Sequence, residues 1–166
     1  DNNGNRVFLL GAITCCNTPN SGWPYVTAAF LEKLAAHDAN YATVRMGPFA
    51  YAPGETDEPN ELPYAEAGNR RQNLDRWNPA FWQHIRSLLS KARELGIYVE
   101  VDVIDGWILE RPERTPWSSD NNVNGINLGC EVQKQAPNGI VERWVRKVAA
   151  ETGSFDNVIY QIGNET

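Results

Sequence analysis

Histidine, methionine and cysteine are scarce in this chain: two, one and three among 166 residues. Few His and Cys means few of the usual ligands of a zinc or iron centre. His37 and His84 fall in predicted helices without ligand-like spacing to a cysteine. The cysteines, Cys15, Cys16 and Cys130, are an odd set and form no disulfide framework. Buried thiols are the plain reading, and one bridge from the adjacent pair to Cys130 stays open if the protein is secreted. No apolar run is long enough to span a bilayer. Basic charge is also short: 15 Lys and Arg stand against 21 Asp and Glu, a net charge of -6 with no basic stripe. That argues against nucleic acid or an anionic membrane surface as partner. A glycine-rich phosphate loop is missing after the first apolar run, where Gly11-Ala12-Ile13-Thr14 stands. A nucleophile-elbow serine is missing too. The polar start, Asp1-Asn2-Asn3-Gly4-Asn5, is no signal peptide. Because the first residue is not Met, a signal removed beforehand stays open, and both a cytoplasmic and a secreted location fit. Nothing calls for a metal or a cofactor, and no internal repeat is visible.

What is present has the makings of one domain over residues 1–166, with an ordinary apolar fraction of 42%. Four short apolar runs, at 6–13, 41–46, 97–104 and 158–166, are rich in β-branched and aromatic residues and have strand length. The first is almost continuously apolar, as expected of a strand covered on both faces. Three amphipathic segments alternate with them. Asn78-Pro79 supplies an N-cap and a first-turn proline. Phe81, Trp82, Ile85, Leu88, Leu89, Ala92 and Leu95 follow at helical spacing up to a C-capping Gly96. A second helix is expected from about residue 24, with Val26, Phe30, Leu34 and Ala35 on its inner side. A third is expected from about Ile140, using Val141, Trp144, Val145 and Val148 and ending at Gly153. Strand–helix alternation implies parallel strands with right-handed crossovers. The links from helix to strand are short, whereas those from strand to helix, 47–77 and 105–138, are long. Long loops gathered at the C-terminal ends of parallel strands mark an active face. The expected fold is α/β: a parallel (β/α) half barrel of four strands and three helices, like the first half of a TIM barrel.

Candidate chemistry collects at that face. The last run ends Gln161-Ile162-Gly163-Asn164-Glu165-Thr166, and alternation puts Ile159, Gln161, Gly163 and Glu165 on one side. A carboxyl group at the inner rim, partly desolvated, has a raised pKa and suits general acid catalysis. The Asn164 amide both donates and accepts, as a sugar hydroxyl requires. Arg45 lies near the end of an apolar strand and needs a carboxylate; it either orients an active-site acid or makes a structural ion pair with Asp102 or Glu100. Trp23, Tyr51, Trp107 and Trp117 are loop aromatics suited to stacking on sugar rings, with ordinary packing as the bland alternative for each. Asp105, just past the third strand, is a ligand-contact candidate ahead of Asp102. Trp82 and Trp144 read as helix core. On the inner face Ile159, Gln161, Met46, Val101 and Val103 are the expected contributors.

Taken in order, Phe8-Leu9-Leu10-Gly11-Ala12, Thr43-Val44-Arg45, Ala92-Arg93-Glu94-Leu95-Gly96-Ile97-Tyr98-Val99 and the segment ending in Asn164-Glu165 resemble strands one to four of the clan A glycoside hydrolases. These are retaining (β/α)8-barrel enzymes that include endoglucanases and β-mannanases. The resemblance implies that Glu165 is the general acid/base after Asn164, that Arg45 is the active-site arginine of strand two, and that oligosaccharide or polysaccharide is the partner. It also exposes departures. The family's nucleophile sits on a seventh strand that this chain does not contain. A histidine often found near the end of strand three has no counterpart in Val103-Ile104-Asp105-Gly106-Trp107. A whole barrel takes about 250 residues, so the sequence reads as a first half. Two functional readings follow, a glycosidase with little turnover as an isolated monomer and a non-catalytic carbohydrate-binding or scaffold protein. An open half barrel also suggests a homodimer that completes eight strands.

Overall fold

The computed structural model describes residues 4–13, 26–50, 61–128 and 139–163. Four parallel strands form one sheet in sequence order: β1 (Gly11–Ile13), β2 (Tyr41–Arg45), β5 (Tyr98–Asp102) and β6 (Val158–Gln161). This is the expected half-barrel order, with the major helices α1 (Ala28–Ala35), α2 (Pro79–Glu94) and α4 (Ile140–Thr152) in the crossovers. Two elements were not expected. Within 47–77 lies an antiparallel hairpin, β3 (Tyr64–Glu66) and β4 (Gln72–Trp77). Its turn holds Gly68, Asn69 and Arg70 at positive φ, a conformation that Gly and Asn accept readily. Within 105–138 lies the short helix α3 (Gly106–Leu109), followed by a 3-10 turn at Pro112–Arg114.

Helix α2 forms as its sequence dictates. The Asn78 side chain accepts from the Ala80 N–H, and Pro79 opens the first turn. At the other end Gly96 takes φ +71°, while the Gly96 and Ile97 N–H groups bond to the Arg93 and Ala92 carbonyls. This left-handed stop satisfies carbonyls that the last turn would leave open. Phe81, Trp82, Ile85, Leu88, Leu89 and Ala92 are buried from this helix, and full burial of each large side chain is worth roughly 1.5–3 kcal/mol. They meet Ala42, Val44, Val99 and Val101 of the sheet, and Ile140, Trp144 and Val148 of α4, in one core.

Side-chain parity assigns the faces. Val44 pairs with Val101 and Val101 with Tyr160, whereas Thr43, Glu100 and Ile159 share the next rung. Successive residues point to opposite faces, so Val101 and Val103 belong to the helix side with Val44 and Met46. This corrects the expectation that Met46, Val101 and Val103 line the inner face with Ile159 and Gln161. The polar members, Tyr41, Thr43, Arg45, Glu100 and Asp102, line it instead. Three smaller corrections follow from exposure and from the element bounds. The 6–13 run forms a strand only at Gly11–Ile13, and Val7, Phe8, Leu9 and Leu10 are exposed rather than covered on both faces. They are tied down by Asn40, whose side chain accepts from the Leu10 N–H and donates to the Phe8 carbonyl. Val145 is exposed on α4. His37 lies just beyond α1 rather than within it.

Candidate functional site

At the C-terminal rim of the sheet, β2 ends in Arg45, β5 in Asp102 and β6 in Gln161, and register places the three on one rung. The Met46 N–H bonds to the Asp102 carbonyl and the Val103 N–H to the Gln161 carbonyl, so the pairing persists past the strand ends. Asp105 follows β5 at the N-cap position of α3 but makes no side-chain cap. Its carboxylate meets Arg45 instead, Nη1 to Oδ2 at 3.1 Å, with Asp105 fully buried and Arg45 17% exposed. The sequence had left Asp102 or Glu100 as structural partners for Arg45; the ion pair is with Asp105. A second acid therefore sits beside the same guanidinium. Asp102 is 1% exposed, and neither of its oxygens has a hydrogen-bond partner of good geometry. Burial pushes its carboxyl up, and the Asp105 and Glu100 charges add to this. Arg45 and the Ile104 N–H pull the other way, leaving a pKa of about 7.

One rung deeper the inner face is hydrogen-bonded rather than ion-paired. The Tyr41 hydroxyl donates to Glu100 Oε2 at 2.8 Å and receives the Thr43 hydroxyl at 3.2 Å. Burial raises the Tyr41 phenol, Thr43 opposes this, and the Glu100 carboxylate adds to it.

Two long loops frame the rim and brace one another. Gln72 and Asn122 pair as a backbone bridge. Gln72 Nε2 donates to the Phe49 carbonyl at 2.9 Å. The fully buried Asn122 amide donates to the carbonyls of Pro116, Ser118 and Ile126, and its oxygen accepts from the Asn124 and Ile126 N–H groups. Asn124 reaches back to accept from the Leu74 N–H. Beneath the hairpin Tyr64 stacks on Trp77 at 4.6 Å, and Trp82 and Trp144 complete the cluster.

The structure thus brings Arg45 and Asp105 together at the rim. Trp117 is placed elsewhere: it is wholly buried, packs edge-on against Trp144 and donates its indole N–H to the Tyr64 hydroxyl at 3.3 Å. It is core, which corrects its assignment as a sugar-stacking residue. Trp107 lies in α3, with its side chain outside the description. Trp23, Tyr51, Asn164 and Glu165, together with all three cysteines, lie outside the described residues. The sequence ranked Asp102 behind Asp105 as a ligand contact and put Gln161 on the inner side; what it did not give is the register that sets both on one rung with Arg45. The signal for Asp102 was there in Tyr98-Val99-Glu100-Val101-Asp102, where alternation sets the acids against the valines. Among the described residues no three His, Cys, Asp or Glu side chains group closely enough to hold a metal ion.

The fold is similar to that of a presumptive glycoside hydrolase from Bacteroides vulgatus, at 20% identity and a TM-score of 0.57 over 98% of this chain and 29% of that one. Weaker likenesses are to a glycoside hydrolase family 5 protein from the same organism (17% identity, TM-score 0.48, 83% of this chain and 24% of that one) and to an endo-beta-1,4-mannanase from Thermotoga petrophila (12%, 0.49, 99% and 36%). The first establishes a shared fold, and this chain spans about a third or less of each neighbour's length. No family model and no curated protein sequence matches.

Proposed function

We propose that this chain carries the acid/base side of a carbohydrate-processing site of the retaining glycoside hydrolase type. The observation that carries the reading is the Arg45–Asp105 ion pair at the C-terminal rim of a parallel sheet framed by two long loops. In a (β/α) barrel that rim is where chemistry is done. On this reading Glu165 protonates the departing glycosidic oxygen and later takes a proton from the water that releases the sugar. Asn164 holds a sugar hydroxyl, and Arg45, fixed by Asp105, offers guanidinium N–H donors beside the acid. Trp107, Trp23 and Tyr51 offer aromatic faces to the sugar. The retaining reaction also needs a carboxylate nucleophile about 5 Å from the acid. The resemblance places that group on a later strand, outside β1, β2, β5 and β6. A second copy pairing its β1 with this chain's β6 would close an eight-stranded barrel and bring a second Glu165 to the same mouth.

A non-catalytic carbohydrate-binding or scaffold protein on the same fold is the second reading. Turnover of aryl β-glycosides, β-glucans and mannans by the wild-type chain and by Glu165→Gln separates the two. Hydrolysis abolished by the substitution supports the enzyme. Binding without turnover supports the second reading, and hydrolysis that survives the substitution contradicts the role given to Glu165.

A further inference from the structure

In the second long loop Asn124 is followed by Gly125. In such a pair the glycine nitrogen can reach the asparagine side-chain carbonyl, because no Cβ stands in the way. The fold adds three features at this one. The Leu74 N–H of β4 donates to Asn124 Oδ1 at 2.8 Å. A donor fixed on an amide oxygen stabilises the oxyanion that forms when the carbon is attacked. Asp75 Oδ2 accepts from Asn124 Nδ2 at 2.9 Å, so a carboxylate stands beside the nitrogen that would depart. The Asn124 N–H is bonded to Oδ1 of the fully buried Asn122 at 3.0 Å, which fixes the backbone on one side. On the other side Gly125 is exposed at φ +69°, and a Cβ built there meets nothing within 4 Å. Packing therefore does not shield its nitrogen.

We propose that Asn124 is a self-modifying site, at which the folded chain converts its own asparagine to aspartate or isoaspartate. The Gly125 nitrogen loses its proton to solvent and forms a bond to Asn124 Cγ. The Cγ–Nδ2 bond breaks, the departing nitrogen receives a proton relayed by Asp75, and ammonia leaves a five-membered succinimide behind. Water then opens the ring. Breaking the new bond to Cγ gives aspartate, and breaking the old bond to the backbone carbonyl carbon gives isoaspartate. One water is consumed for each ammonia released, and nothing is oxidised or reduced. The reaction needs no sugar. Its product bears on the rim all the same, because Asn124 joins the two loops that frame it. An aspartate there cannot donate to Asp75 and sets a second carboxylate beside it, with Arg143 of α4 at 3.7 Å to offset one charge. Isoaspartate also lengthens the main chain where Leu74 is held.

The test compares the folded chain with the unfolded one. The 166-residue protein is held at pH 8 in buffer and in urea, and aspartate and isoaspartate at position 124 are followed by peptide mapping and mass spectrometry. The folded chain should react about tenfold faster than the unfolded one, since folding alone supplies the Leu74 donor and the fixed geometry. Asp75→Asn, which keeps an acceptor but loses the carboxylate, should slow the folded reaction severalfold and leave the rate in urea unchanged. Modified chain, separated by ion exchange, should lose hydrogen-exchange protection at Leu74. A folded rate equal to or below the rate in urea would show that the fold shields Asn124, and it overturns the inference. A folded Asp75→Asn chain that reacts as fast as wild type overturns the part given to Asp75. Unchanged protection at Leu74 overturns the link from the modification to the loops.

Discussion

Arg45 and its two acids make the most specific demands at the scale of single residues. Asp105→Ala removes the carboxylate paired with a mostly buried guanidinium, and breaking a buried pair from one side costs about 3 kcal/mol; urea unfolding should show a loss of that order. Asp102 behaves in the opposite sense. Its folded pKa, about 7, lies above the ordinary value of about 3.9, so the folded state binds the proton more tightly than the unfolded one. Stability from this group is therefore greatest below about pH 4, declines through the window between the two values, and is lost above about pH 7. Thermal melts from pH 5 to pH 8 should show Asp102→Asn gaining on wild type as pH rises; a constant gap contradicts the assignment. How far the sequence reached is visible in the same residues. That a strand-end arginine needs an acid was legible in Thr43-Val44-Arg45. Which acid answers it was not, because Asp105 reaches Arg45 only through the turn that α3 imposes after β5. Trp117 misled for a related reason: it sits in a loop by sequence, yet that loop folds back onto Trp144 and Tyr64.

The secondary-structure elements divide into those that announce themselves and those that depend on distant partners. Helix α2 carries its start, stop and apolar stripe in its own residues. Asn78→Ala should cost about 1 kcal/mol through the lost cap, and more if the Asn78 amide's bond to the Leu62 carbonyl is not replaced. The β3–β4 hairpin could not be read in the same way. Its first strand has three residues, and its second is held some 50 positions away, by the backbone at Asn122 and the side chain of Asn124. Asn122→Ala removes five hydrogen bonds at a fully buried site. At roughly 1–3 kcal/mol for each group left unsatisfied, a destabilisation of about 3 kcal/mol is expected. Hydrogen exchange should speed up at the Leu74 and Ile126 amides before α2 is affected. Unchanged protection at both would show that the two long loops do not brace one another.

For the whole molecule, the order of parallel strands was legible because apolar runs and amphipathic segments alternate so regularly. The division of residues between the two faces was harder, since Met46 and Val103 lie at strand ends where parity has to be counted from an observed register. The sheet that results has β1 and β6 as its outer strands, with Phe8, Leu10, Ile159, Tyr160 and Ile162 exposed close by. The Tyr160 hydroxyl meets Thr152 of α4 at 2.7 Å, yet the residue remains 43% exposed. Among the described residues no further strand pairs with either edge; apolar surface beside a strand edge invites pairing, and on the dimer proposed above a two-fold arrangement joining β6 to β1 is the closed solution. Light scattering at micromolar concentration should give twice the chain mass; a single species at monomer mass contradicts the dimer. The central claim, that the Arg45 rim binds carbohydrate, is tested most directly by calorimetric titration of the chain and of Arg45→Met with cellohexaose and mannohexaose at pH 6. Wild type should bind at least one of the two, and the variant should lose about tenfold or more, the worth of a hydrogen bond to a charged group. No heat of binding with wild type, or equal affinity in the variant, would contradict the account.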